Sequence, residues 1–85
     1  MKFKDKTVVV TAGTKGIGEA VVKAFLKEGA NVATCSRNSE EMNEENQRLF
    51  KLSGDIKDAK FLIDFHQSVE SYFDSSVDIL VNNNG

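Results

Sequence analysis

The stretch that most constrains the fold is Thr11-Ala12-Gly13-Thr14-Lys15-Gly16-Ile17-Gly18, a glycine-rich loop between two unlike neighbours. Before it, Val8-Val9-Val10 is a β-branched run bounded by threonines, the pattern of a strand buried on both faces. After it, Ile17, Val21, Ala24 and Phe25 recur at helical spacing, so a helix is expected from Gly16 to Glu28 with those four on its buried stripe. Glu19 in the first turn and Lys27 in the last complement the helix dipole. Gly29 then supplies the left-handed residue that ends the helix.

The alternation continues. Asn31–Cys35 reads as a second strand and Arg48–Leu52 as a third. Between them, Asn38 to Gln47 carries four Glu and no Lys or Arg, a short surface helix or a loop. The acidic run Glu40 to Glu45 reads as a solvated face. Ser53-Gly54-Asp55 is a turn signal, and Asp58 is placed to cap a second long helix reaching Tyr72 or Phe73. Its expected stripe is Phe61, Leu62, Phe65, Val69, Tyr72 and Phe73. A last strand, Asp78 to Val81, runs into Asn82-Asn83-Asn84-Gly85. Strands alternating with helices imply an α/β fold: right-handed crossovers, a parallel sheet and flanking helices.

Composition narrows what such a unit does. At 85 residues the chain has room for one domain and no separate substrate domain. A net charge of −2 argues against a nucleic-acid module held by phosphate contacts. One Cys and one His exclude an internal disulfide and a Cys/His zinc site. The charged start, Lys2 to Lys6, does not resemble a signal peptide, and no window is long enough and apolar enough to span a bilayer. A soluble cytoplasmic protein with a reduced thiol is the default expectation.

A glycine loop between a buried strand and a helix is what a phosphate-binding turn needs. Glycines let the chain turn tightly and bring backbone N–H groups and the helix N-terminus up to a pyrophosphate. The alternative is an ordinary tight turn. A nucleoside-triphosphate loop is excluded, because no Gly-Lys-Ser or Gly-Lys-Thr occurs. The end of the second strand bears on which dinucleotide fits. A fold preferring NAD carries an acid there for the ribose 2′-hydroxyl. Here the strand ends in Cys35-Ser36-Arg37-Asn38, and Arg37 offers a planar fork to a 2′-phosphate. Lys15 adds a second positive charge from the loop. NADP(H) is therefore the expected cofactor, against the alternative that both are solvated surface charges.

Together the glycine loop, Gly54-Asp55-Ile56 and Asn82-Asn83-Asn84-Gly85 resemble the short-chain dehydrogenase/reductase family, in order and rough spacing from Thr7 to the last residue. The Cys-Ser-Arg-Asn stretch is similar to that of NADP-using members such as the tropinone reductases. The resemblance implies a partial Rossmann fold with sheet order 3-2-1-4 over residues 1–85, and an oxidoreductase acting on carbonyl or secondary alcohol groups when complete. It implies that Thr11, Gly13, Thr14, Lys15, Gly16 and Gly18 form the pyrophosphate loop, with Ile17 beside the nicotinamide end. Ser36 and Arg37 then flank the adenosine ribose, Asp55 and Ile56 bracket the adenine, and Asn82, Asn83 and Gly85 line the cofactor and steady the sheet.

Two positions depart from the family pattern. Ala12 stands where the first loop glycine is expected, so its Cβ crowds the adenosine side or demands a shifted backbone. Asn84 stands where the family has a small residue. The segment from Arg37 to Asp55 is also short, which implies a stunted second crossover helix. The family's Tyr and Lys, four apart, have no counterpart: Tyr72 is followed by Ser76, and no Lys or Arg occurs after Lys60. No catalytic residue is assigned. His66 reads as a helix-surface histidine and Cys35 as a small buried hydrophobe. The alternative to part of an oxidoreductase is a non-catalytic cofactor-binding or interaction module. By the same resemblance the fourth strand is left as an open apolar edge. That edge implies a homo-oligomer or docking to a second chain.

Overall fold

A computed structural model of the chain describes residues 2–12, 16–37 and 46–82. The three valines lie in strand β1 (Thr7–Thr11), buried from Thr7 to Val10. Alternation sends them to opposite faces. Val8 and Val10 join one core with Val22, Leu26, Ala30, Val32 and Leu49. Val9 joins the other with Ala33, Cys35, Phe65 and Val69. Burying three valines is worth roughly 5–9 kcal/mol, about what ordering a five-residue strand costs. β1 therefore persists only because both of its faces are covered.

The chain continues through α1 (Gly16–Lys27), β2 (Asn31–Ser36), β3 (Leu49–Ser53), α2 (Ala59–Phe73) and β4 (Ile79–Val81). The strands form one sheet in the order β3-β2-β1-β4, every pair parallel. This is the expected α/β architecture, with α1 over one face and α2 over the other.

Helix α1 ends as its sequence implies. Gly29 has φ 84°, its N–H donates to Leu26 O, and the Ala30 N–H reaches back to Phe25 O at 3.1 Å. These are the two bonds of a Schellman cap. The buried face differs from expectation: Gly18, Val22 and Leu26 face the sheet, Val21 and Phe25 flank them, and Ile17 is 80% exposed, as is much of Ala24. The cause is Gly18. A residue without a side chain adds nothing to a hydrophobic pattern, yet it marks the face that approaches the strands most closely.

Helix α2 begins where expected. Asp58 is its N-cap, and its Oδ1 accepts from the N–H groups of Lys60 (3.0 Å) and Phe61 (3.4 Å). Phe65 and Val69 are buried, with Phe61 and Phe73 packed beside them. Leu62 and Tyr72, expected in the core stripe, are exposed, Tyr72 by 52%. α2 lies over β2 and β3, so these side chains fall at the rim of the surface it covers. Tyr72 rests its ring on Phe50 at 4.9 Å and donates its hydroxyl to Gln47 O at 3.3 Å.

Strand ends shift by one residue. β2 runs on to Ser36, and β3 starts at Leu49 because the Arg48 N–H turns to Asn46 Oδ1. β4 starts at Ile79 because Asp78 serves as its clasp. Asp78 Oδ2 accepts from the Thr7 N–H at 2.9 Å, and the Asp78 N–H donates to Thr7 O at 2.8 Å. Among the described residues β4 pairs with β1 alone, and Leu80 is 64% exposed. The polar stretch from Asn38 to Glu45 lies outside the described residues. No helix of the described residues is long and apolar enough to cross a membrane.

One turn depends on a close side-chain contact. Gly54, just past β3, donates its N–H to Ser36 O at 2.8 Å, and any Cβ there would run into the Phe61 ring. Gly54→Ala is expected to lose roughly 1–3 kcal/mol in urea unfolding, and much less in a Phe61→Ala background. Equal losses in both backgrounds would show that the ring is not the cause.

Candidate functional site

In a parallel sheet each strand's carboxyl end opens into a turn, and here those turns share one edge. Thr11 ends β1, Ser36 ends β2, Ser53 ends β3, and Asn82 follows β4. The strand order reverses beside β1, since β2 and β3 lie to one side and β4 to the other. Open α/β sheets bind their ligands in the crevice at such a reversal. Thr11 Oγ1 donates to Asn82 Oδ1 across it at 3.2 Å, tying the two strand ends together.

Gly16 begins α1 with φ 57°, and Gly16 and Ile17 are exposed at the helix N-terminus while Gly18 is buried. The turn before them is entered through Ala12, whose φ is 54°. Its N–H donates to Cys35 O at 2.7 Å, which anchors the turn to β2. The backbone thus keeps the left-handed conformation a glycine would adopt, and alanine bears the strain.

On the other side of β1, Arg37 and Asp55 stand at neighbouring strand ends. Arg37 Nη2 lies 3.8 Å from Asp55 Oδ2, with the Arg37 side chain 72% exposed and Asp55 about half so. Asp55 Oδ1 accepts from the Lys57 N–H at 2.9 Å, and Asp55 O accepts from the Asp58 N–H at 3.0 Å. Ile56 packs against the α2-side core.

Thr11, Ser36, Arg37, Asp55 and Asn82 therefore lie at this edge, α1 begins with exposed Gly16 and Ile17 and buried Gly18, and Ile56 turns inward. Gly13, Thr14, Lys15, Asn83 and Gly85 lie outside the described residues, as does Asn84. The pairing of Arg37 with Asp55 was not anticipated from sequence. The register carries part of the signal: Ser36 pairs with Ser53, which sets Arg37 beside Gly54 and Asp55 one residue further on.

Other reactive side chains lie elsewhere. Cys35 is fully buried, and burial pushes its thiol above the ordinary range, partly offset by a hydrogen bond from the Ala12 backbone. Such a thiol packs as an apolar group and is not a nucleophile. His66 is an exposed partner of Glu70 on α2, at 3.4 Å. Tyr72, bonded to Gln47 just ahead of β3, sits at the opposite end of the sheet. No group of His, Cys, Asp and Glu among the described residues could hold a metal ion.

Known proteins share this fold. A family model described as short chain dehydrogenase matches residues 6–85. A tropinone reductase homolog of Arabidopsis thaliana is 43% identical over 90 residues, covering 98% of this chain and 34% of that protein. Among solved structures, L-sorbose reductase of Gluconobacter frateurii, complexed with NADPH and L-sorbose, is similar with a TM-score of 0.86 and 30% identity. The match covers 98% of this chain and 34% of that one. A short chain dehydrogenase of Leptospira borgpetersenii with bound NAD+ is similar with a TM-score of 0.80 and 28% identity, over 94% of this chain and 31% of its own. The chain spans about a third of the length of the curated relatives it matches.

The strain at Ala12 is measurable. An L-residue with a side chain loses roughly 1–2 kcal/mol in the left-handed region, and glycine gives back about half of that in unfolded-chain entropy. Ala12→Gly is therefore expected to stabilise the chain by about 0.5–1 kcal/mol, read as a higher urea midpoint at unchanged slope. A lower midpoint would mean that the methyl group packs usefully.

Proposed function

Because this chain belongs to the short-chain dehydrogenase family, we propose that it is the NADP(H)-binding portion of an oxidoreductase acting on carbonyl and secondary alcohol groups. The observation that carries the cofactor choice is Arg37. Its guanidinium stands largely in solvent just past Ser36, at the strand end where an NAD-preferring fold carries an acid. Its fork suits a 2′-phosphate, and Ser36 adds a hydroxyl beside it. Relatives of both kinds, one with NADPH and one with NAD+, have this fold, so the preference rests on these side chains.

The fold provides a suitable cradle. Thr11 and Asn82 are bonded across the strand ends, and α1 begins with Gly16 and Ile17 exposed; a helix N-terminus offers backbone N–H groups to an anion. Gly13, Thr14, Lys15, Asn83 and Gly85 complete the proposed set, with Asp55 and Ile56 at the adenine end. When bound, the nicotinamide cofactor supplies or accepts hydride. The chain's own part is to bind and orient it. No proton-transfer role is given to Tyr72, which is engaged with Phe50 and Gln47 at the far end of the sheet. A cytoplasmic compartment is part of the same proposal.

A charge-assisted contact to a 2′-phosphate is worth about 1.5–3 kcal/mol, or roughly 10- to 100-fold in affinity. NADPH is expected to bind more tightly than NADH by that factor in calorimetric titrations, and Arg37→Ala to remove most of the difference. Equal affinities that Arg37→Ala leaves unchanged would refute the choice of cofactor.

The proposal extends to a second copy of this chain along β4. The edge is apolar, and Leu80 projects into solvent with no Lys or Pro on the strand to discourage pairing. Light scattering is expected to give a mass that rises with concentration, and Leu80→Lys to bring it down toward the monomer. A monomer at all concentrations in both proteins would exclude self-pairing.

A further inference from the structure

The reading of Arg37 as the 2′-phosphate partner leaves out what Arg37 does before a ligand arrives, and there its neighbour matters. β2 and β3 run in register to Ser36 and Ser53, and the Gly54 N–H bond to Ser36 O keeps the chains together one residue further. The next register position sets Arg37 beside Gly54, so Asp55 lies one residue beyond that partner and within reach of the Arg37 side chain. The Asp55 carboxylate divides its work. Oδ1 is committed to the Lys57 N–H, which fixes the group's orientation, and Oδ2 is left facing Arg37 Nη2 at 3.8 Å.

We propose that Asp55 restrains cofactor discrimination: its carboxylate competes with the 2′-phosphate for the Arg37 guanidinium, making Asp55 a specificity-determining residue in its own right. The inference rests on the assignment of Arg37 to the 2′-phosphate and adds a second term to it. A ligand carrying that phosphate must draw Arg37 from its resident anion. A ligand without the phosphate meets no such cost. The ion pair is exposed, so its worth is small. Exposed pairs amount to a few tenths of a kcal/mol up to about 1 kcal/mol, which sets a ceiling of roughly fivefold in affinity. Asp55 therefore trims a preference that Arg37 creates and does not reverse it.

Asp55→Asn isolates this effect, because the amide keeps an oxygen for the Lys57 N–H while removing the charge. Whatever position 55 does for the adenine end is common to both dinucleotides and cancels in their ratio. Dissociation constants for NADPH and NADH should be measured by calorimetry on the full chain. Four proteins are needed: wild type, Asp55→Asn, Arg37→Ala and the double variant. Asp55→Asn is expected to raise the NADPH-over-NADH preference by roughly two- to fivefold, with no such rise when Arg37 is absent. A preference that Arg37→Ala abolishes but Asp55→Asn leaves unchanged or lowers would overturn the competition and leave the cofactor reading standing. A rise of equal size in the Arg37→Ala background would overturn it as well, since repulsion alone would then account for the effect. No measurable binding, or equal affinities untouched by Arg37→Ala, would overturn the cofactor reading and this inference with it.

Discussion

Parallel pairing of β1 with both of its neighbours is the constraint on which the rest of the molecule depends. A parallel strand offers no tight hairpin back, so each connection must cross a face of the sheet before the next strand begins. The crossings lay α1 on one face and α2 on the other, and each helix buries the side chains its face presents. The same rule forces every strand to release its chain at one edge. Thr11, Ser36, Gly54 and Asn82 come together there from positions far apart in sequence. The core and the site are thus two consequences of a single pairing pattern.

Most of the fold was legible because its signals are local. The Asp58 cap, the Gly29 stop and the β-branched run in β1 each act within a few residues, and each lies where the sequence implies. The failures share a different cause. The stripe of α1 was misplaced because its innermost residue, Gly18, carries no side chain, and the stripe of α2 was drawn too wide because the width of the sheet beneath it is written in other segments. Ile17 and Tyr72 are the residues that reveal this. The site divides in the same way. Thr11, Arg37 and Asn82 were legible as single residues at strand ends, whereas the Arg37–Asp55 pair depends on the register between two strands and on neither strand alone.

The clasp at Asp78 shows how the two levels meet. Its side chain accepts from the Thr7 N–H and its backbone donates to Thr7 O, while Thr7 Oγ1 lies 3.0 Å from Ser75 Oγ. These contacts seat the start of β4 against the start of β1, more than 70 residues apart in sequence. Thr11 and Asn82 meet at the other end of the same two strands. The β1–β4 pair is therefore pinned at both ends, and the spacing of Thr11 and Asn82 at the crevice follows from backbone pairing.

Two positions near this edge show that a glycine in a motif can answer to two different demands. At Gly54 the backbone is ordinary, and what forbids a side chain is the Phe61 ring packed over it. At Ala12 the backbone is the kind that favours glycine, with φ 54°, yet an alanine stands there. The first demand is steric and rises steeply with each added atom, because a packed core has little room to yield. The second is a conformational cost of roughly 1–2 kcal/mol, which hydrogen bonds such as that from Ala12 to Cys35 O can help to offset. A loop glycine of the second kind can be lost while the fold survives, as the paired strands and capped helices around Ala12 show.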